Sequence, residues 1–109
     1  MINQIYRDMA SAIEILVLLM DNEELWPNTM PSEAALCSQV PFAVDTMAFE
    51  SWLAYVFIPK MKYILSAEMP IPKMSIAPAA EHYFTSAPKV VIEQLSVIDA
   101  LSSKANSNQ

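Results

Sequence analysis

Glycine is absent from this chain of 109 residues. Average usage is about 7%, so the absence constrains which kinds of site the chain can form. Phosphate-binding loops, dinucleotide-binding turns and the nucleophile elbow of serine hydrolases all need glycine, because their backbone takes positive φ or approaches a ligand closely. The sequence therefore excludes these three kinds of site.

Cysteine, histidine and long hydrophobic runs are also scarce. Cys37 and His82 are the only residues of their types, which excludes an intrachain disulfide and a zinc site built from cysteines. Apolar runs are short: residues 15–20 form a run of six, whereas a membrane-spanning helix needs about 20. The N-terminal region carries Asp8 and Glu14 and lacks the pattern of a signal peptide. We expect a cytoplasmic protein that does not bind membranes.

Basic residues are outnumbered, with six lysines and arginines against twelve aspartates and glutamates, for a net charge of −6. Nucleic-acid-binding proteins usually carry a basic surface that displaces counterions from phosphates. We therefore expect no direct, tight binding to RNA or DNA, and a basic protein partner is electrostatically easier. The alternative interpretation is an acidic, solvated surface that only keeps the protein in solution.

Apolar residues make up 54% of the chain, and most follow a helical period. Residues 2–22 have apolar side chains at spacings of three and four, which predicts a first helix. Ser32 is a predicted N-cap for a short helix that ends near Cys37. The last helix is predicted to begin at Ser86 and Pro88 and to bury one stripe: Val91, Leu95, Ile98 and Leu101.

The centre of the chain predicts a helix that proline interrupts but does not end. Asp45 fits an N-cap, residues 52–58 are apolar all round, and Trp52 is expected to be buried. Pro59 removes one backbone amide and should kink the helix, but apolar spacing continues to about residue 67. Residues 69–73 contain two prolines and should be extended. The sequence predicts an all-α, single-domain helical bundle over residues 1–101, with a polar, frayed tail over 102–109.

Candidate catalytic groups are few. His82 could act as a general base with Glu81 or Asp45, but no nucleophile or second histidine accompanies it, so a surface histidine is favoured. Asp45 suits a helix cap better than a catalytic carboxylate. The aromatic residues of the central helix, including Trp52, could stack on bases, although such residues more often form a core. We predict no catalytic residues, no metal site and no cofactor.

Three stretches of sequence carry a resemblance to a known family. They are Pro41-Phe42-x-Val44-Asp45-Thr46-Met47, then Trp52-Leu53-x-Tyr55-Val56-Phe57-Ile58-Pro59-Lys60-Met61, and finally Met69-Pro70-Ile71-Pro72 with Ile76-Ala77-Pro78. Together they resemble the YqcC-like family, small bacterial proteins often encoded beside a tRNA pseudouridine synthase. Val40, Tyr55 and Lys60 stand where that family commonly has glutamine, tryptophan and arginine. Lysine at position 60 weakens any planar, bidentate contact made there.

The resemblance spans essentially the whole chain and implies a helical bundle associated with tRNA pseudouridylation. We therefore predict a non-catalytic, protein-binding adaptor whose partner is a tRNA pseudouridine synthase. Its candidate partner surface comprises Asp45, Tyr55, Lys60 and Lys62. Two alternatives stay open: a self-associating structural bundle, and a small-ligand binder or unrecognised enzyme. A pocket in which Asp45, Lys60 or His82 converged would favour the latter. The sequence leaves the oligomeric state undetermined.

Overall fold

The computed structural model describes residues 4–84 and 88–106, and within these ranges every regular element is helical. The prediction of an all-α bundle is confirmed. In chain order the elements are α1 (Gln4–Asn22), α2 (Glu33–Leu36), a 3-10 turn (Pro41–Ala43), α3 (Phe49–Trp52), a π-helical segment (Leu53–Phe57), α4 (Ile58–Ser66), α5 (Ile76–Tyr83) and α6 (Lys89–Ala105). The predicted start of the last helix at Ser86 lies outside the described residues, and Pro88 immediately precedes α6.

The core includes the interface between α1 and α6, together with buried residues of the central helix and α5. Helices α1 and α6 each bury one stripe at spacings of three and four, as the sequence predicts, although Leu101 of the predicted stripe is only partly buried. The buried side chains are Met9, Ala12, Ile13, Leu16 and Met20 of α1 and Val91, Leu95 and Ile98 of α6. The Gln94 side chain also donates a 2.9 Å hydrogen bond to the Ala12 carbonyl. In the described part of the chain, no helix has the length and hydropathy that crossing a membrane requires.

Two apolar residues of α1 lie on the surface. Ile15 is 46% and Leu18 68% exposed. Both lie outside the stripe that α1 buries, so the wide apolar arc of this helix leaves an exposed patch.

The end of α6 corrects the predicted domain boundary. The helix continues to Ala105, and Ser102, where the polar tail was expected to begin, is 0% exposed. Its hydroxyl has backbone partners inside the bundle, because it donates to the Asp99 carbonyl at 2.7 Å. A domain ending at residue 101 is therefore wrong. Residues 107–109 of the predicted tail lie outside the described residues.

The N-cap predicted at Asp45 is also wrong. The helix begins at Phe49, and extended Ala48 precedes it. Asp45 lies in the preceding turn, where its carboxylate accepts a 2.6 Å hydrogen bond from the Ser38 hydroxyl. The aspartate thus stabilises the loop between α2 and α3.

The central helix continues through Pro59 and ends at Ser66, which confirms that proline does not end it. The disturbance is a π-helical segment just before the proline, in which the Ile58 amide donates to the Leu53 carbonyl five residues back. Proline lacks an amide and crowds the carbonyl four residues earlier. The wider π turn is a known way for a helix to absorb such a mismatch.

Two helices end with a glutamate in the left-handed conformation, where most proteins use glycine. Glu24 follows α1 with φ 58°, and Glu68 follows α4 with φ 54°. In both cases the next amide bonds back five residues along the chain, Leu25 to the Met20 carbonyl at 2.8 Å and Met69 to the Ile64 carbonyl at 2.9 Å. This chain therefore terminates helices by the usual hydrogen-bond pattern without the usual residue.

Candidate functional site

An apolar groove of about 280 Å³ lies between the central helix and the segment that leads into α5. We call it the Trp52 groove. It is lined by Trp52, Val56, Phe57, Lys60, Met61 and Ile64 on the helix side and by Pro72, Met74 and Ile76 on the other. All but Ile64 and Met74 fall in the stretches of sequence that carry the family resemblance. The groove therefore brings together motif residues that are separated along the chain.

The π-helical segment helps to align the helix side of the groove. Trp52, Val56 and Lys60 recur at every fourth position. In a regular α-helix each such step rotates the side chain by about 40° around the axis. A π turn holds more residues and so reduces this rotation. The irregularity before Pro59 consequently keeps these three side chains on one face.

Trp52 is positioned by an aromatic cluster. Its ring stacks on Phe49 and Phe57 at centroid distances of 5.7 and 5.6 Å, and meets Phe42 edge-on at 5.0 Å. Phe42 reaches this position from a left-handed backbone conformation with φ 60°, which is strained for a bulky residue. Trp52 is only partly buried, in contrast to the expectation of a core residue, because it borders the groove.

The opposite side of the groove is attached to α6 through Asp99. Its two carboxylate oxygens accept hydrogen bonds from the Ile76 and Ala77 amides, each at 2.8 Å. These are the first two amides of α5, so Asp99 caps that helix from a different element. Burial raises the pKa of the Asp99 carboxyl, and the two amide hydrogen bonds oppose this shift.

Ser102 and Asn106 hold the extended residues before α5. The Ser102 hydroxyl accepts from the Met74 amide at 3.0 Å, and the Asn106 side chain donates to the Ile71 carbonyl at 2.9 Å. Together with Asp99 they occupy positions i, i+3 and i+7, one face of α6. This polar face gives the proline-containing segment the backbone partners that a neighbouring strand would otherwise supply.

Lys60 is the only charged residue that lines the Trp52 groove. It is exposed, and no ion pair or hydrogen bond to its side chain occurs among residues 4–84 and 88–106. The groove is therefore an apolar surface with one cation at its edge and no carboxylate.

Only one of the four predicted partner-surface residues lies at this groove. Lys62 pairs with Glu14 at 3.6 Å and lines a second groove, of about 270 Å³, between α1 and α4. Positions two apart on a helix are separated by about 200°, which is why Lys60 and Lys62 diverge. Asp45 bonds to Ser38, and Tyr55 is partly buried in the π-helical segment. The structure does not bring the four together.

The arrangement offers no converging set of acid and base. His82 is exposed, as the sequence predicts, and packs edge-on against Tyr83 with ring centroids 4.7 Å apart. Across the described ranges, no three histidine, cysteine or acidic side chains cluster as metal ligands would. Lys60 lines the Trp52 groove without Asp45 or His82.

Sequence reasoning missed the far side of the groove and the residues that hold it. Pro72, Met74 and Ile76 line the groove, while Asp99 and Ser102 anchor their backbone. One signal was present in the sequence. Position 102 continues the buried stripe of α6, four residues after Ile98, yet carries a hydroxyl, and a buried hydroxyl requires a partner.

The comparisons with known proteins match most of the chain. The sequence profile of the DUF446 family, described as "tRNA pseudouridine synthase C", matches residues 8–102. The uncharacterized protein YqcC of Escherichia coli is 31% identical over 93 residues, which are 82% of this chain and 85% of that protein. The solution NMR structure of YqcC superposes with a TM-score of 0.84 at 25% identity, covering 98% of this chain and 95% of that one.

Two further relatives match shorter parts. An uncharacterized protein of Haemophilus influenzae is 39% identical over 70 residues, which are 63% of this chain and 66% of that protein. A tRNA pseudouridine synthase C of Pectobacterium carotovorum is 42% identical over 48 residues, 44% of this chain but only 13% of that protein. The long match to the family profile and the coverage of YqcC show that this chain belongs to the YqcC-like, or DUF446, family of small helical proteins.

Proposed function

We propose that this protein is a non-catalytic adaptor that binds a tRNA pseudouridine synthase through the Trp52 groove. One observation carries the proposal: seven of the nine groove residues belong to the stretches of sequence that resemble the family. Four of these seven residues, Trp52, Val56, Lys60 and Pro72, are exposed or partly buried rather than core residues, so the motif serves more than the core. Its convergence on a surface supports a binding role.

The chemistry of the groove suits a protein segment. Trp52 presents a large side chain held by neighbouring rings, and tryptophan is enriched among residues that dominate interface energies. Met61 and Met74 also line the groove, and methionine adapts its shape to different apolar partners. Lys60 supplies a charge at the edge that orients the partner.

The Pectobacterium relative supports the choice of partner. A segment similar to part of this chain lies inside a protein named tRNA pseudouridine synthase C and forms only 13% of it. Two segments joined in one chain have a high effective concentration for each other. A stand-alone protein that resembles one segment is therefore a reasonable binder of the other.

Charge supports a protein rather than tRNA as the direct contact. The net charge is −6, with six basic residues in the whole chain. Tight tRNA binding would need several phosphate contacts, whereas an adaptor needs contact only with the enzyme.

Calorimetric titration of this protein with a tRNA pseudouridine synthase C tests the proposal. We expect saturable binding by the wild type. Val56→Gln should weaken that binding at least about fivefold, because it places an amide in the apolar groove. Leu18→Gln is the matched control, since Leu18 is exposed on α1 and does not line the groove. Circular dichroism checks that both variants fold.

Two results would contradict the proposal in different ways. A wild type that does not bind the synthase refutes the adaptor function. Binding that is weakened by Leu18→Gln but unaffected by Val56→Gln refutes the groove and assigns the contact to α1.

A second candidate function is self-association through the exposed apolar side chains of α1 and α6. These are Ile15, Leu18, Val90 and Val97. Gln94, which bonds to Ala12, lies four residues after Val90 and three before Val97, so these valines share its side of α6. Ile15 similarly follows Ala12 by three. Sedimentation at increasing concentration tests this function: a dimer that Leu18→Gln dissociates would favour it, and a monomer throughout would refute it.

A further inference from the structure

We infer that the Trp52 groove accepts a short peptide segment carrying one large apolar side chain next to an aspartate or glutamate. The inference rests on the proposed function, since it specifies the chemistry of the segment that a partner protein would insert. It follows from the size of the groove, the chemistry of its lining and the position of its single charge.

The size and lining define the apolar part of the ligand. Eight of the nine lining residues are apolar, and the volume is about 280 Å³. Pockets for drug-sized molecules start at roughly 300 Å³, so this groove has room for one or two side chains rather than for a cofactor. An aliphatic or aromatic anchor from a peptide fits that space.

Charge defines the second part of the ligand. Lys60 lies at the edge of the groove, and its side chain has no ion-pair partner in the part of the chain that the structure describes. Acidic residues are twice as numerous as basic ones in this protein, yet none lines the groove. A carboxylate beside the apolar anchor would pair with Lys60, because the groove lining carries no negative charge to repel it.

The aromatic cluster argues against a nucleobase in the same place. Base stacking requires an accessible aromatic face. The Trp52 ring already has Phe49 and Phe57 nearly parallel to it, at interplanar angles of 27° and 21°. These neighbours occupy area that a base would need, whereas a peptide side chain can pack against the remaining edge.

Selection from a random display library of peptides of about ten residues, with the full-length wild-type protein immobilised, tests the inference. We expect enriched sequences to share an apolar residue adjacent to Asp or Glu. Binding of one enriched peptide is then followed by Trp52 fluorescence in the Trp26→Phe variant, which leaves Trp52 as the only tryptophan.

Two charge reversals on the same helix make the test specific. Lys60→Glu should weaken binding of the enriched peptide by about fivefold to tenfold. Lys62→Glu should change the affinity for the same peptide by less than about twofold. Both variants alter the net charge equally, and circular dichroism verifies that they fold. Raising the salt concentration from about 50 to about 500 mM should also weaken binding several-fold.

The outcomes separate this inference from the proposed function. No enrichment, a basic or uncharged consensus, or equal effects of the two reversals would overturn the inference, even if the synthase binds. An acidic and apolar consensus that depends on Lys60 would uphold it, even if the synthase does not bind. In that case only the identity of the partner would be wrong.

Discussion

The α1–α6 pair and the Trp52 groove are built in different ways. In the pair, regular helices bury apolar stripes against each other, and side chains such as Leu16 and Leu95 are fully buried. In the groove, one side contains a π-helical segment. The other side is an extended segment and the start of α5, whose amides bond to Ser102 and Asp99 of α6. Hydrophobic burial thus holds the pair, while specific hydrogen bonds shape the groove.

This difference separates stability from function in a small protein. A regular helix pair contributes free energy of folding through buried apolar area. It can therefore support a neighbouring segment that is irregular and partly exposed. Mutations in the two regions should consequently differ in size and in what they change.

The largest expected effect is loss of a core side chain from the helix pair. Leu95 is fully buried in α6, and Leu95→Ala should lower the free energy of unfolding by about 2–5 kcal/mol, because it leaves a cavity. Val97→Ala, on the exposed side of the same helix, should cost less than about 1 kcal/mol. Urea unfolding measures both, and similar costs would contradict the assignment of the core.

Removing a polar anchor of the groove should have a smaller effect. Ser102→Ala leaves the Met74 amide without its side-chain acceptor and should cost about 1–3 kcal/mol. Ser103→Ala is the matched control, because Ser103 is exposed. In hydrogen exchange, Ser102→Ala should speed exchange of the Met74 amide more than that of α1 amides. Equal acceleration of exchange at the Met74 amide and at the α1 amides would show that the extended segment before α5 does not open independently of the helices.

Helix termini offer a stabilising change of smaller size. Glu24 and Glu68 have positive φ. This conformation is higher in energy for glutamate than for glycine, because glycine has no Cβ. Glu24→Gly and Glu68→Gly should each raise the free energy of unfolding by about 0.5–1 kcal/mol. Glu23→Gly, one position earlier and outside the set with positive φ, should instead destabilise the protein. Destabilisation by all three would contradict the left-handed assignment.

The smallest expected effect is a pH dependence from Asp99. Burial raises the pKa of this carboxyl above its ordinary value of 3.8. In the window above that value the folded state binds more protons than the unfolded state, so the stability contributed by Asp99 falls as pH rises. We expect the difference in unfolding free energy, wild type minus Asp99→Asn, to decrease from about pH 4 to pH 7. An increase would contradict the direction of the shift.

The regular half of the molecule could be predicted from sequence because its determinants are local. The stripe of α1 and the Ser32 cap, whose hydroxyl accepts from the Ala35 amide at 3.1 Å, depend on residues three or four apart. The Asp45 cap was wrong because Ser38 competes for the carboxylate in the fold.

The groove could not be predicted because it depends on contacts between distant residues. Ser102 and Met74 are 28 positions apart, and no local pattern pairs them. The motifs identified the family and contain seven of the nine residues that line the groove, whereas the divergence of Lys60 and Lys62 needed the actual helix geometry. A resemblance in sequence thus located the important residues without showing which of them meet.

The most direct test of the central claim uses the two tryptophans as internal probes. Trp52 lines the groove, whereas Trp26 lies in the loop after α1. Protein labelled with 5-fluorotryptophan gives one ¹⁹F resonance from each, which Trp26→Phe assigns. On addition of unlabelled tRNA pseudouridine synthase C, we predict that the Trp52 resonance shifts while the Trp26 resonance only broadens. A shift at Trp26 alone, or no change at either at saturating synthase, would contradict binding through the groove.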